Sequence, residues 1–170
     1  MKEILISIVV TVRFTLTLIN LHGDKMDWDE YFLEICDVVA KKSKDTTKIG
    51  AIIVNPRTKN ILSTGYNWLP KGIEPCENNT SRPDKYKYMV HAEMNCVNHA
   101  ARLGPPVEGM TLYLNYSAYN ICSNCAKNLI NAGISHVKGN SQNRLDTHWD
   151  DDLEFAQKMF TETRIVVEDI

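Results

Sequence analysis

The chain has 170 residues, 44% apolar and 24% charged, a balance that fits a soluble globular domain and excludes a disordered chain or a disulfide miniature. Nineteen basic residues against 21 acidic ones leave a net charge of -2, which argues against a protein that works by gripping a nucleic-acid backbone. Five cysteines, an odd number at low density, point to a reducing compartment such as the cytoplasm, and to metal or catalytic use in place of a disulfide framework.

Residues 4–21 are largely apolar, yet Arg13 at their middle is costly in a membrane helix and no small-x-small cleavage site follows. Neither a membrane span nor a secretory signal is therefore expected. Residues 10–18 alternate in a strand pattern; the other reading is that the fold starts at Met26 and residues 1–25 are an extension outside it. The chemistry is expected within residues 26–170, as one catalytic domain.

Residues 27–42 predict an amphipathic helix, with Trp28, Phe32, Ile35 and Val39 on one face and Asp27 and Asp29 at its start. The apolar run 49–54 predicts a buried strand, 55–60 a turn and 61–66 the returning strand of a hairpin. Residues 67–90 predict a long loop, and loops of that length in compact domains are usually functional. A helix over 91–103 stops at Gly104 before two prolines, a strand covers 110–116, and a helix over 122–132 stops at Gly133. A short strand over 134–137, a helix over 149–160 and a strand over 164–167 complete the chain. This alternation predicts one α/β domain: a mixed, largely parallel five-stranded sheet covered on both faces, a three-layer α/β/α arrangement.

Two short segments carry the chemistry: His91-Ala92-Glu93, and Cys122-Ser123-Asn124-Cys125. Each falls at an expected helix N-terminus. Thiols three residues apart on a helix face the same way, and the helix N-terminus favours thiolate, the metal-binding form. Two thiolates and one neutral imidazole neutralise Zn²⁺ and leave a fourth tetrahedral position for water, whose pKa falls from 15.7 to about 7 there. Glu93 can take that water's proton and pass it to a leaving nitrogen without ligating the metal. Two other readings of Cys-x-x-Cys stand beside this one. A structural zinc needs a fourth protein ligand, which Cys36, Cys76, Cys96, His99 and His136 do not offer at matching spacing. A redox pair has no use for the upstream His-Ala-Glu.

His-x-Glu followed by Cys-x-x-Cys resembles the signature of the zinc nucleobase deaminases. The likeness extends to Trp28-Asp29-Glu30-Tyr31-Phe32, Ser43-Lys44-Asp45, Ile49-Gly50-Ala51, Gly65-Tyr66-Asn67 and residues 85–95 and 129–134. Together these are similar to the deoxycytidylate deaminases over about residues 26–137. The resemblance implies the cytidine-deaminase-like α/β/α fold and hydrolysis of dCMP to dUMP and ammonia, supplying dUMP for thymidylate synthesis. It implies zinc on His91, Cys122 and Cys125, Glu93 as proton shuttle, and Asn67 meeting the sugar through its amide. It further implies a homo-oligomer, commonly a hexamer, and regulation by dCTP and dTTP with Mg²⁺ at a site to which the loop after Asn67 contributes. Three departures stand out: Ile121 where the family has proline, a segment 113–122 about three residues longer, and Trp68 where glycine is frequent.

Beyond the resemblance, Lys44 and Lys48 lie at a helix–strand junction that can meet a phosphate, though a solvated loop is the plainer reading. Arg82, Lys85 and Lys87 could likewise meet a phosphate, and Tyr116, Tyr119 or Trp149 could stack on a base. Two competing functions remain: deamination of a base within tRNA or another nucleic acid, and a zinc-stabilised module that has lost catalysis and serves in binding. Near-neutral charge favours a small nucleotide with no nucleic-acid or membrane partner, and retention of Glu93 favours an enzyme.

Overall fold

In the computed structural model, Asp27 accepts the Glu30 N–H at 2.8 Å while Glu30 reaches back to the Asp27 N–H. This capping box opens α1 (Trp28–Ala40), where the acids of the first turn place the cap. The structure describes residues 26–144 and 150–170, so the extension expected at 1–25 and the helix start expected at Trp149 lie outside the described residues.

Five strands follow: β1 (Gly50–Val54), β2 (Ile61–Tyr66), β3 (Thr111–Leu114), β4 (His136–Gly139) and β5 (Val166–Asp169), in the spatial order β2-β1-β3-β4-β5. β1 is antiparallel to β2 and to β3, and the pairs β3–β4 and β4–β5 are parallel. Four strands thus share one direction and β1 alone opposes them, which agrees with the mixed, largely parallel sheet expected.

Alternation along the strands supplies two cores, because successive side chains point to opposite faces. Ala51, Ile53, Leu112, Leu114 and Val137 join residues of α4 (Ala92–Leu103), α5 (Ser123–Asn131) and α6 (Asp150–Thr163). Ile52, Val54 and Tyr113 pack with Phe32 and Cys36 of α1. Helices therefore lie on both faces, giving the three layers. The sheet touches helix backbone directly at Gly65: a Cβ there would lie 2.3 Å from the Cys96 nitrogen and 2.4 Å from the Ala92 carbonyl oxygen. That contact fixes α4, and with it the His91 segment, against β2.

Several boundaries differ from expectation. Residues 67–90 are not a bare loop: they hold α2 (Glu77–Thr80) and α3 (Lys85–Tyr88), and their ends are tied by paired hydrogen bonds between Trp68 and Val90 at 3.1 and 2.9 Å. β4 and β5 lie two residues later than the apolar runs suggest, since parallel register sets Thr111 opposite His136 and His136 opposite Val166. β3 ends at Leu114, and residues 118–120 form a 3₁₀ turn. Trp28 does not join the buried face of α1. It is 53% exposed and its ring stacks on Phe32 at 5.6 Å. Among the described residues no helix is long and apolar enough to cross a membrane.

Candidate active site

His91 and Cys122 are the N-cap residues of α4 and α5, so both sit where unpaired N–H groups favour anionic ligands. Cys125 lies one turn into α5, its N–H 3.5 Å from the Cys122 sulfur. The Cys122 and Cys125 sulfurs lie 3.5 and 3.4 Å from His91 Nδ1, and the three ligating atoms are all within 4.8 Å of one another. A tetrahedral zinc with ordinary Zn–S and Zn–N bonds would hold sulfur and nitrogen about 3.5 Å apart. The residues fit zinc in donor type and in spacing.

The hydrogen bond from Cys125 and the neighbouring His91 hold the Cys122 thiol down at about 4, against burial. The Cys122 thiolate in turn raises His91 to about 9, and the same thiolate together with burial pushes Cys125 up. All three groups ligate a metal only in their deprotonated forms, so metal binding at this set releases protons.

Glu93 sits in the first turn of α4 and is 1% exposed. Its Oε1 accepts a hydrogen bond from the Tyr116 hydroxyl at 2.6 Å. Burial first, and then the Glu93 carboxylate, push the Tyr116 phenol well above its ordinary pKa, so it remains a donor. α5 is capped from outside by Asp152 of α6, which accepts the Ser123 N–H at 2.9 Å and its hydroxyl at 2.5 Å. Ile121 is buried, with φ -72°, a backbone angle proline also adopts. The longer segment before Cys122 is pinned to the end of β5: the Ser117 hydroxyl and Ala118 N–H both donate to Asp169 at 2.7 Å.

The remaining candidates divide. Asn67 is buried and its amide is engaged: Oδ1 accepts the Ile49 N–H at 2.8 Å, and Nδ2 donates to the Thr47 carbonyl at 2.8 Å and to Asp45 at 3.4 Å. Lys48 is exposed and donates to the Ser43 carbonyl. Lys85 is buried against Asp45 at 2.8 Å, which removes it from any phosphate cluster, while Lys87 pairs with Asp84 at 2.9 Å and Arg82 lies over the Tyr86 ring. Tyr119 donates to the Val167 carbonyl, and Trp149 lies outside the described residues. Sequence reasoning missed Asp45 and Asn115, whose amide accepts the Gly50 N–H at 2.9 Å and donates to the Lys48 carbonyl at 3.3 Å. It weighed Tyr116 only as a ring and gave Asp152 no role at α5. No local pattern marks any of these roles.

Away from the zinc-ligand set, a cavity of about 800 Å³ lies between α4 and the loop after β2, lined by Tyr66, Trp68, Lys44, Lys71, His99 and Arg102 among others.

Residues 26–139 match the family model described as the cytidine and deoxycytidylate deaminase zinc-binding region. Deoxycytidylate deaminases of Mus musculus and Homo sapiens are each 35% identical over 125 residues, 68% of this chain and 66% of theirs. The match thus spans just under two thirds of those relatives' length. The fold is similar to the crystal structure of dCMP deaminase from the cyanophage S-TIM5 in complex with dCMP and dUMP, with a TM-score of 0.64 at 23% identity over 83% of this chain and 95% of that one. With a matched segment that holds the three candidate zinc ligands and Glu93, the chain belongs to the cytidine and deoxycytidylate deaminase family.

Proposed function

We propose that the protein hydrolyses dCMP to dUMP and ammonia. The observation that carries the reading is a buried carboxylate, Glu93, beside a complete Cys₂His set at two converging helix N-termini. The relatives named deoxycytidylate deaminase support dCMP as the substrate. Held by His91, Cys122 and Cys125, zinc supplies Lewis-acid activation of a water molecule at neutral pH. Glu93 performs the proton transfers. It takes one proton from the attacking water and gives it to N3 of the cytosine, then takes the second proton from the same oxygen, now bonded to C4, and gives it to the departing amino nitrogen. The water oxygen becomes the C4 carbonyl of dUMP and the amino group leaves as ammonia.

In this reading Asn67 reaches the sugar by exchanging its 3.4 Å contact to Asp45 for a sugar hydroxyl. Lys48, exposed on the segment that Asn67 and Asn115 hold, meets the 5′-phosphate. The cavity with Lys44, Lys71, His99 and Arg102 takes a triphosphate effector, dCTP or dTTP with Mg²⁺; its basic side chains support an anionic occupant. Exposed Trp28, Tyr31 and Val38 on α1 support a homo-oligomer, read by sedimentation. The catalytic unit is residues 26–170, and a chain starting at Met26 retains activity. Ammonia release from a panel of cytosine nucleotides, with and without dCTP, tests the reading: dCMP is deaminated fastest and dCTP changes the rate.

A further inference from the structure

The Glu93 carboxylate meets two groups from elsewhere in the chain, the Cys125 thiol, which is itself a candidate zinc ligand, and the Tyr116 hydroxyl. Tyr116 comes from 23 residues away, and its hydroxyl donates to Oε1 at 2.6 Å, a length typical of a charge-assisted O–H···O bond. Tyr116 is itself held tightly. It belongs to the buried core between the sheet and α4 to α6. Its carbonyl accepts the Asn140 N–H at 3.0 Å, and the next two residues are fixed by Asp169. Gly139 lets the chain approach this closely, since a Cβ there would lie 2.5 Å from the Tyr116 carbonyl oxygen and 2.1 Å from the Ala118 nitrogen. The lengthened segment before Cys122 is thus clamped to the ends of β4 and β5, and the clamp sets the height of the Tyr116 ring over the first turn of α4.

We infer that Tyr116 is a positioning residue for Glu93: its hydroxyl fixes Oε1 so that the carboxylate presents Oε2 to the reacting atoms in one orientation. A carboxylate in the first turn of a helix has several rotamers open to it, and a proton shuttle serving several transfers must hold one of them. Tyr116 transfers no proton in this scheme and touches no substrate. The inference deepens the deaminase reading and rests on it for its kinetic consequence only; the placement of the carboxylate is read separately.

The test pairs kinetics with structure on zinc-loaded Tyr116→Phe, which removes one oxygen and keeps the ring in the core. We expect kcat on dCMP to fall about 10- to 100-fold, the range for loss of a group that orients an active-site residue. KM and zinc content stay at wild-type values and the thermal midpoint falls only modestly, for one lost buried hydrogen bond; a fall in kcat at full zinc content is a split that a merely structural role would not produce. Crystal structures of the two proteins should show Glu93 in one conformation in wild type, and displaced or spread over several in the variant. Tyr116→Leu, which also removes the ring, should show the same displaced carboxylate together with a lower thermal midpoint. Glu93 unmoved in Tyr116→Phe overturns the inference whatever the rate, as does a displaced Glu93 with wild-type kcat. A wild-type chain inert toward dCMP, with Glu93 displaced in the variant, overturns the activity reading and leaves the positioning role supported by the structures.

Discussion

At the scale of single residues the site depends on atoms with no room to move. The atoms a Gly65 Cβ would meet are backbone atoms of α4, so no side chain can swing aside. Gly65→Ala should therefore cost about 1–3 kcal/mol through overpacking, read from the urea midpoint, and should lower zinc affinity because His91 caps that helix. Glu93→Gln presents the opposite case: nearly the same shape, no shuttle. It should keep full zinc content and the wild-type thermal midpoint while turnover drops by at least about 10²- to 10⁴-fold, the usual worth of a positioned acid–base group. Asp152→Ala removes a cap on α5 supplied from another helix. It should cost about 1 kcal/mol, seen in chemical denaturation, with a matching loss of zinc affinity because Cys122 opens that helix. The clustering of His91, Cys122 and Cys125, the proposed zinc ligands, was legible in the sequence because their spacing is local and chemically specific. Tyr116 and Asp152 were not, because they meet Glu93 and Ser123 across 23 and 29 residues, and only the packed sheet brings them there.

At the scale of elements, the segment between α1 and β1 is held by one nearly buried ion pair. Lys85 of α3 meets Asp45 at 2.8 Å, with side-chain exposures of 9% and 6%. Burial alone would raise the Asp45 carboxyl, but the Lys85 ammonium, the Thr46 hydroxyl and the Thr47 N–H outweigh it and hold the pKa below its ordinary value. A lowered folded-state pKa stabilises the fold above the unfolded value of about 3.9, and that contribution is lost as pH falls through the folded value. Lys85→Met leaves a buried carboxylate unpaired and should cost about 3–5 kcal/mol at pH 7. Denaturation midpoints taken from pH 7 down to about pH 3 should show the gap to wild type narrowing as Asp45 protonates. α1, α4 and α5 were legible because Asp27, Gly104 and Gly133 punctuate them. Gly104 and Gly133 have φ of 101° and 78°, the left-handed region that glycine enters without strain. β4 and β5 were displaced by two residues because four-residue strands carry too little periodicity to fix their own register. α2 and α3 were missed because four-residue helices carry no pattern at all.

At the scale of the molecule, the proposed zinc ligands stand on α4 and α5, two helices that cover the same face of the sheet. Metal binding is therefore also folding energy, and chelation should lower the thermal midpoint of the whole domain, while His91→Ala or Cys122→Ala should lose metal and stability together. The three-layer fold was legible because alternating helices and strands with two-faced apolar strands admit few other architectures. The loop between β2 and α4 was not, since its closure depends on the Trp68–Val90 bridge and on the Lys85–Asp45 pair. The most direct test of the account is ammonia released from dCMP per equivalent of zinc, measured on one preparation before chelation, after chelation and after zinc is restored. The account predicts turnover that tracks zinc at about one ion per chain, falls to background on chelation and returns with the metal. Full turnover by zinc-free protein, or no ammonia from dCMP by protein carrying one zinc per chain, would contradict it.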